Sequence, residues 1–171
     1  AAYSSGASAE KQAIDYFIAK QNCAAIEGGL AIFAAGNDMT GMSSYPGAYR
    51  DYISVTAMSC DYTPAYYTNY GTWVRISAPG GDQMLSNAYG GVYSTSVAAD
   101  GSSGYEGSQG TSMACPHVSG VAALIVSQFG APGFTNEQLK EKLFSTARDI
   151  DSYQGPIYNG RGTYAGKIGK L

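Results

Sequence analysis

The sequence predicts an α/β domain with a mainly parallel β-sheet. Three short, almost continuous apolar runs end in turn residues, a pattern that is typical of strands buried on both faces of a sheet. Helical segments alternate with these runs, which indicates parallel strands joined by right-handed crossovers. The chain has 171 residues, 44% of them hydrophobic, which fits one globular domain or a large part of one.

The chain begins with a predicted helix and a predicted strand. Ser8 is the expected N-cap of a helix in "AEKQAIDYFIAKQ", with Glu10 in its first turn. Four apolar residues of this helix share one side: Ala13, Ile14, Phe17 and Ile18. The run "GGLAIFAAGN" then predicts a buried strand, which Gly36 and Asn37 close.

Further strands and two helices follow. Residues 52–58 ("YISVTAM") and 73–80 ("WVRISAPG") are predicted strands, and "GGVYSTS" is a shorter candidate. A helix is expected from near Ser112 to about Phe129. Thr135 and Gln138 have the spacing of a capping box, so the segment "NEQLKEKLFSTAR" is predicted to form the last helix.

The composition bears on partners and metals. A net charge of −3 gives no electrostatic reason to expect nucleic acid or an anionic membrane as a partner. No apolar run approaches the length of about 18 residues that predicts a membrane span. The cysteines lack the spacing of metal ligands, so we expect small buried thiols at Cys23, Cys60 and Cys115.

Ser112 stands at the predicted start of a helix and is a candidate nucleophile. A helix N-terminus presents unpaired N–H groups and partial positive charge, which suit an oxyanion formed beside a serine hydroxyl. Gly110 permits a close approach of the chain. The alternative is that Ser112 or Thr111 only caps the helix, as Ser and Thr often do. The residues around Ser112 leave both interpretations open.

The only histidine of the chain, His117, is a poor candidate for the base. Five positions along a helix correspond to a rotation of about 140° and a rise of roughly 7.5 Å. The imidazole would therefore face away from the Ser112 hydroxyl, beyond the reach that a general base requires. We expect His117 to be a packed, hydrogen-bonded core histidine.

Asn37 is predicted at the same edge of the sheet as Ser112. Ligands of open α/β sheets gather where the carboxyl ends of the strands meet the loops, and Asn37 follows the first strand at that edge. Taken alone, an asparagine after a strand is more typical of a turn residue that tolerates left-handed geometry.

Several stretches together resemble the subtilisin-like serine peptidases. "GTSMACPHVSG" resembles the family's nucleophile segment, G-T-S-M-A-x-P-H-V-x-G, and "GGLAIFAAGND" resembles the strand that ends at the oxyanion asparagine. "YTNYGTWVRISAPGG" is similar to the segment between them. The matches stand in family order and cover nearly the whole chain. The resemblance implies a three-layer subtilisin-like fold that is incomplete here, with residues 1–171 as the C-terminal portion of a catalytic domain.

The resemblance also implies roles for individual residues. Ser112 corresponds to the nucleophile, and Asn37 corresponds to the side-chain donor to the oxyanion, alongside the Ser112 backbone N–H. His117 corresponds to a structural histidine, and the bond between Tyr45 and Pro46 lies where the family often has a cis proline. Four further residues correspond to the wall and rim of the primary specificity pocket: Ala34, Ala35, Gly36 and Asp38.

The family's catalytic Asp and His segments, D-[ST]-G and H-G-T-H, do not occur in this sequence. In the family they precede everything matched here, so we expect them upstream in the same gene product. The main partner of the chain would be that upstream part of the domain. Because a serine without its base retains only residual catalysis, we expect the chain alone to be nearly inactive.

The resemblance implies a serine endopeptidase that acts on proteins or peptides through an acyl-enzyme and is secreted or extracytoplasmic. The chemistry would need no cofactor and no metal, and structural calcium stays open. Asp38 would favour a basic substrate side chain and the small pocket wall a large apolar one, so the preference also stays open. The alternatives are a non-catalytic interaction or scaffold domain, and a fragment that pairs with a separate N-terminal piece.

Overall fold

A computed structural model describes residues 9–20, 23–86, 90–156 and 163–171. Four α-helices and five strands are described, followed by a 3₁₀ turn at Asp151–Tyr153. In chain order they are α1 Ala9–Ile18, β1 Ile32–Ala34, β2 Ile53–Met58, β3 Ile76–Pro79, α2 Gln83–Ser86, β4 Val92–Val97, β5 Ser103–Ser108, α3 Thr111–Phe129 and α4 Asn136–Ser145.

The first three strands form a parallel sheet in the order β1-β2-β3. Phe33 of β1 pairs with Ser54 of β2, and Val55 of β2 pairs with Ile76 of β3. The predicted α/β class with a parallel sheet is therefore confirmed. The connections differ from the prediction, because loops at 35–52 and 59–75, rather than helices, join the parallel strands.

The central strand β2 is buried on both faces, as predicted. On one face its apolar side chains belong to the main core together with Ala114 and Val118 of α3. On the other face the Ser54 hydroxyl donates to the Trp73 carbonyl at 3.0 Å, and the Thr56 hydroxyl donates to the carbonyl of Ile168. The buried hydroxyls thus keep their hydrogen bonds. The prediction of a strand buried on both faces is wrong for β1, which is only three residues long and half-buried because it is the edge of the described sheet.

Helix α3 lies across all three parallel strands and also contacts α4. It spans the predicted range, and its small inner residues Ala114 and Ala122 allow close packing. Helix α4 begins with the predicted capping box. The Gln138 N–H donates to Thr135 Oγ1 at 3.2 Å, and the Thr135 N–H donates to Gln138 Oε1 at 2.8 Å.

Strands β4 and β5 form a separate antiparallel hairpin, in which Val92 pairs with Ser108. The shorter candidate "GGVYSTS" is thus a strand, but its partner in "SGYEGS" was not predicted, because that segment lacks apolar alternation. The hairpin is largely exposed. Tyr93 and Tyr105 have 65% and 78% of their surfaces accessible.

The expectation of small buried thiols is wrong for two of the three cysteines, and helix α1 lies at the surface of the described residues. Helix α1 begins and runs as predicted, but it has no buried residue, and Phe17 of its apolar stripe is exposed. Cys23 and Cys60 are exposed rather than buried, and Cys115 is half-buried. The predicted cap Ser8 lies outside the described residues. The peptide bond between Tyr45 and Pro46 is cis, as the resemblance implied.

Among the described helices, α3 alone has the length and mean hydropathy, 1.2 over 18 residues, of a membrane span. The apolar sequence of α3 is interrupted by Thr111, Ser112 and His117. For this reason the search for continuous apolar runs did not find a membrane span there. We interpret α3 as a core helix, because its inner side packs on the sheet and its first turn forms the site described next.

Candidate active site

The first turn of α3 leaves Ser112 accessible. Gly110 is the N-cap, with φ at 150°, and no side-chain hydrogen bond caps the helix from that position. Its carbonyl accepts from the N–H groups of Met113 at 2.9 Å and Ala114 at 3.3 Å. The alternative in which Ser112 or Thr111 is the cap residue is therefore wrong. Within the described chain, neither the hydroxyl nor the N–H of the exposed Ser112 has a hydrogen-bond partner.

Asn37 lies beside this turn, in the loop that follows β1. Its Oδ1 accepts from the Thr111 N–H at 2.9 Å and from the Thr111 hydroxyl at 2.8 Å. Because an N–H can only donate, the oxygen of the amide must face Thr111, and the amide nitrogen must face the other way. The contact joins residues 74 positions apart and satisfies one of the free N–H groups of the helix N-terminus.

Thr111 is the residue that joins the two segments. It is 1% exposed, and its hydroxyl accepts from the Gly36 N–H at 3.1 Å while it donates to Asn37 Oδ1. One buried hydroxyl therefore holds both the backbone and the side chain of the loop after β1. Our sequence analysis considered Thr111 only as a possible cap. The spacing gave no signal for this role, because the partners are distant in the chain.

Two N–H donors lie beside Gly110. A Cβ placed on Gly110 would lie 3.6 Å from Asn37 Nδ2 and 3.7 Å from the Ser112 backbone nitrogen, so both nitrogens approach one point. Within the described residues, neither donor has a protein partner. Preorganised donors of this kind stabilise the negative charge that develops when a serine attacks a carbonyl.

The backbone around this turn is anchored to the end of β3. The Gly110 N–H donates to the Gly80 carbonyl at 2.9 Å. The Tyr67 hydroxyl lies 2.8 Å from the Gly80 carbonyl and 2.7 Å from the Gly81 carbonyl, so the two carbonyls share its single proton, and burial raises the pKa of that hydroxyl. The turn that presents Ser112 is thus tied to two loops of the parallel sheet.

The four residues assigned to the pocket wall and rim lie at the end of β1 and in the following turn. Ala34 ends the strand, and the side chain of Ala35 is fully buried, while its N–H donates to the Val55 carbonyl at 2.9 Å. Gly36 has φ at 103° and turns the chain, and Asp38 is exposed. Asn69 contacts this turn, and the sequence analysis did not single it out.

His117 makes a hydrogen bond but does not lie in the core. Its Nδ1 is 2.7 Å from the Met113 carbonyl, and because a carbonyl only accepts, Nδ1 carries the proton. No hydrogen bond joins His117 to Ser112, as the helical geometry predicted. The expectation of a packed core histidine is wrong for the described residues, since His117 is exposed on the outer side of α3.

Cys115 does not provide an alternative nucleophile. It lies behind the first turn, and its Sγ donates to the Ile32 carbonyl at 3.6 Å. Burial raises the pKa of the Cys115 thiol, which keeps it protonated near neutral pH. Among the residues that the structure describes, no group of three or more His, Cys, Asp or Glu side chains is arranged to hold a metal ion.

The fold and the site together define a class of protein. A parallel α/β sheet carries an exposed serine at a helix N-terminus, beside two N–H donors that have no protein partner among the described residues, an arrangement that suits acyl transfer. Comparison with known proteins identifies the family. The profile of the subtilase family matches residues 1–163, and the chain belongs to this family.

The relatives are named as subtilisins and proteases. Subtilisin DY from Bacillus licheniformis is 34% identical over 163 residues, which are 92% of this chain and 50% of that protein. The halolysin-like extracellular serine protease Nep of Natrialba magadii is 36% identical over 75% of this chain and 21% of its own length. A solved protease structure from Pseudoalteromonas arctica PAMC 21717 matches with a TM-score of 0.74 and 34% identity, covering 88% of this chain and 43% of that one. The chain thus spans half or less of the length of these relatives.

Proposed function

We propose that this chain is the C-terminal portion of the catalytic domain of a serine endopeptidase, with Ser112 as its nucleophile. The observation that carries the proposal is the pair of unpaired N–H donors, from Asn37 Nδ2 and the Ser112 backbone, beside an exposed serine. Membership of the subtilase family supports it.

The proposed reaction follows from the positions of these groups. The Ser112 hydroxyl attacks the scissile carbonyl of a protein or peptide, and the oxyanion accepts from Asn37 Nδ2 and the Ser112 N–H. A base outside this chain takes the hydroxyl proton and delivers it to the departing amine. Water then hydrolyses the acyl-enzyme. These steps use no cofactor and no metal ion, and structural calcium would be a separate matter of stability.

The outer side of α3 supports a second part of the proposal, that the upstream part of the domain covers it. Val121 is 47% exposed and Leu124 is 70% exposed on that side. A groove of about 670 Å³ runs between α3 and the β4–β5 hairpin, and both Ser112 and His117 line it. An upstream segment that packs here would bring its base next to Ser112.

The turn after β1 is proposed to bind the substrate side chain that precedes the scissile bond. Ala34, Ala35 and Gly36 would form the wall and Asp38 the rim. The proposed location is secreted or extracytoplasmic, which is supported by relatives named as extracellular proteases.

The experiment compares the complete protein with the chain. The complete protein is expected to hydrolyse peptides and to react at Ser112 with a fluorophosphonate, and Ser112→Ala is expected to abolish both. The 171-residue chain alone is expected to show almost no turnover, and efficient hydrolysis by that chain would contradict the assignment of the base to another segment.

The same experiment tests the alternatives. A complete protein that lacks both turnover and fluorophosphonate labelling would favour a non-catalytic interaction domain with a subtilase fold. Activity that appears only when a separately produced N-terminal piece is mixed with this chain would favour the two-piece protein.

A further inference from the structure

We propose that Asn69 is a positioning residue of this site. Its side-chain amide holds the segment 36–40, and thereby fixes the Asn37 donor and the Asp38 carboxylate. The inference rests on the proposed function, in which these two residues face the substrate.

The Asn69 side chain is 1% exposed and forms four hydrogen bonds to one short segment. Its Oδ1 accepts from the Asp38 N–H at 2.9 Å and from the Thr40 N–H at 3.2 Å. Its Nδ2 donates to the Ala35 carbonyl at 3.0 Å and to Asp38 Oδ2 at 3.3 Å. All four bonds end on residues 35–40, so the amide acts as the internal brace of that segment.

Backbone hydrogen bonds extend the contact. The Asn69 N–H donates to the Gly36 carbonyl at 3.0 Å, the Met39 N–H donates to the Tyr67 carbonyl at 2.9 Å, and the Tyr70 N–H donates to the Thr40 carbonyl at 3.0 Å. The segments 36–40 and 67–70 therefore lie against each other as one unit. The side-chain amide of Asn69 is the part of this unit that reaches the carboxylate of Asp38.

Gly36 is complementary to Asn69. Its φ of 103° lies in the region that favours glycine, and a Cβ at this position would collide with Asn69 Nδ2. The absence of a side chain at Gly36 is thus what lets the amide reach the Ala35 carbonyl. The two residues therefore depend on each other, although 33 positions separate them in the sequence.

As a result, hydrogen bonds hold the chain on both sides of Asn37. Thr111 holds its Oδ1 and the Gly36 N–H from the helix side, while Asn69 holds the flanking Ala35 and Asp38 from the sheet side. An oxyanion donor is effective only when it is held in place before the charge develops. Loss of the Asn69 brace should therefore lower kcat more than it changes KM.

The test uses Asn69→Asp, Asn69→Ser and the control Asn136→Ser in the complete protein that carries this chain. Asn136 is a fair control because its amide also donates to a backbone carbonyl, that of Gly29 at 3.0 Å, but at the start of α4. Both Asn69 variants are expected to lower kcat about 10- to 100-fold with a small change in KM. Asn136→Ser should lower thermal stability and leave kcat unchanged.

The pH profile separates positioning from stability. In Asn69→Asp the ionised carboxylate keeps its acceptors but lacks a donor, and it faces the Asp38 carboxylate. Protonation restores one donor and removes the repulsion, so the activity relative to wild type should rise as the pH falls. A kcat within twofold of wild type for both Asn69 variants at every pH would overturn the inference.

A failure of the Asn69 inference can be distinguished from a failure of the proposed function. If the wild type hydrolyses no peptide, or Ser112→Ala keeps the activity, the proposed function is wrong, and hydrogen exchange then decides the role of Asn69. The amides of Asp38 and Thr40 should exchange faster in Asn69→Ser than in Asn136→Ser. Equal exchange in the two variants would overturn the inference.

Discussion

The inner and outer sides of α3 have opposite environments although both carry large apolar side chains. On the inner side Ala114 is 0% exposed and Val118 is 3% exposed, packed against the parallel strands. On the outer side Val121 and Leu124 remain 47% and 70% exposed, and the hairpin next to them is exposed as well. A helix that is apolar all round is normally covered all round.

The difference separates the candidate site into two parts. The proposed oxyanion part lies within this chain, where Asn37 and Thr111 of the first turn of α3 are joined by hydrogen bonds. The part that would supply the base lies on the outer side, where the described residues offer only His117, whose Nδ1 is bonded to the Met113 carbonyl. The predictions below test this division.

The largest effect is expected for Ser112→Ala in the complete protein. Removal of the nucleophile should lower kcat by about 10⁶-fold, the magnitude known for loss of the nucleophile in subtilisin. Steady-state hydrolysis of a peptide amide measures it, with thermal unfolding as the check on folding. Retained turnover would show that the oxyanion part does not serve this serine.

The next effect is expected for Asn37→Asp. The aspartate keeps an oxygen to accept from Thr111, so α3 stays capped, but it loses the N–H that faces away from Thr111. We expect kcat to fall by at least about 10²-fold, with a smaller change in KM, because the donor acts on charge that exists only in the transition state. Equal kcat values for the variant and the wild type would contradict the assignment of Asn37 as a donor.

Two leucine substitutions compare the buried core with the exposed outer side of α3. Leu143→Ala, at a side chain 3% exposed in the main core, should lower the free energy of unfolding by about 2–4 kcal/mol. If the upstream part covers α3, Leu124→Ala should cost about 2 kcal/mol in the complete protein as well. Chemical denaturation measures both, and a change of less than about 0.5 kcal/mol for Leu124→Ala would mean that the outer side is free surface.

The smallest effect is expected at the capping box of α4. Thr135→Ala removes the acceptor of the Gln138 N–H and should lower the free energy of unfolding by about 1 kcal/mol, with kcat unchanged. Glu141→Ala, at an exposed position of the same helix, is the control and should stay within about 0.5 kcal/mol. Equal stabilities of the two variants would show that the cap contributes nothing.

Local patterns predicted several elements well. The capping box at Thr135 and Gln138 and the range of α3 depend on residues three or four positions apart, which a sequence displays directly. The continuous apolar run of β2 indicated burial on both faces, and the structure confirms it. The hairpin strand β5 was not predicted, because it pairs with β4 through backbone hydrogen bonds and its sequence shows no apolar alternation.

The candidate site was predicted in part. The motif around Ser112 and the strand that ends at Asn37 singled out both residues, and their assignment to catalysis stays a prediction. The roles of Thr111 and Asn69 were not predicted, because each depends on contacts between segments more than 30 positions apart. A single sequence displays the residues of such a contact but not the contact.

The sequence by itself determined the α/β class, the helix that begins beside Ser112, and the spacing that separates His117 from Ser112 on that helix, since helical geometry depends only on position along the chain. Only the tertiary structure decided which way the Asn37 amide faces, and that Asn69 braces the segment around it. Those orientations follow from hydrogen-bond donors and acceptors that meet only when distant segments are packed together.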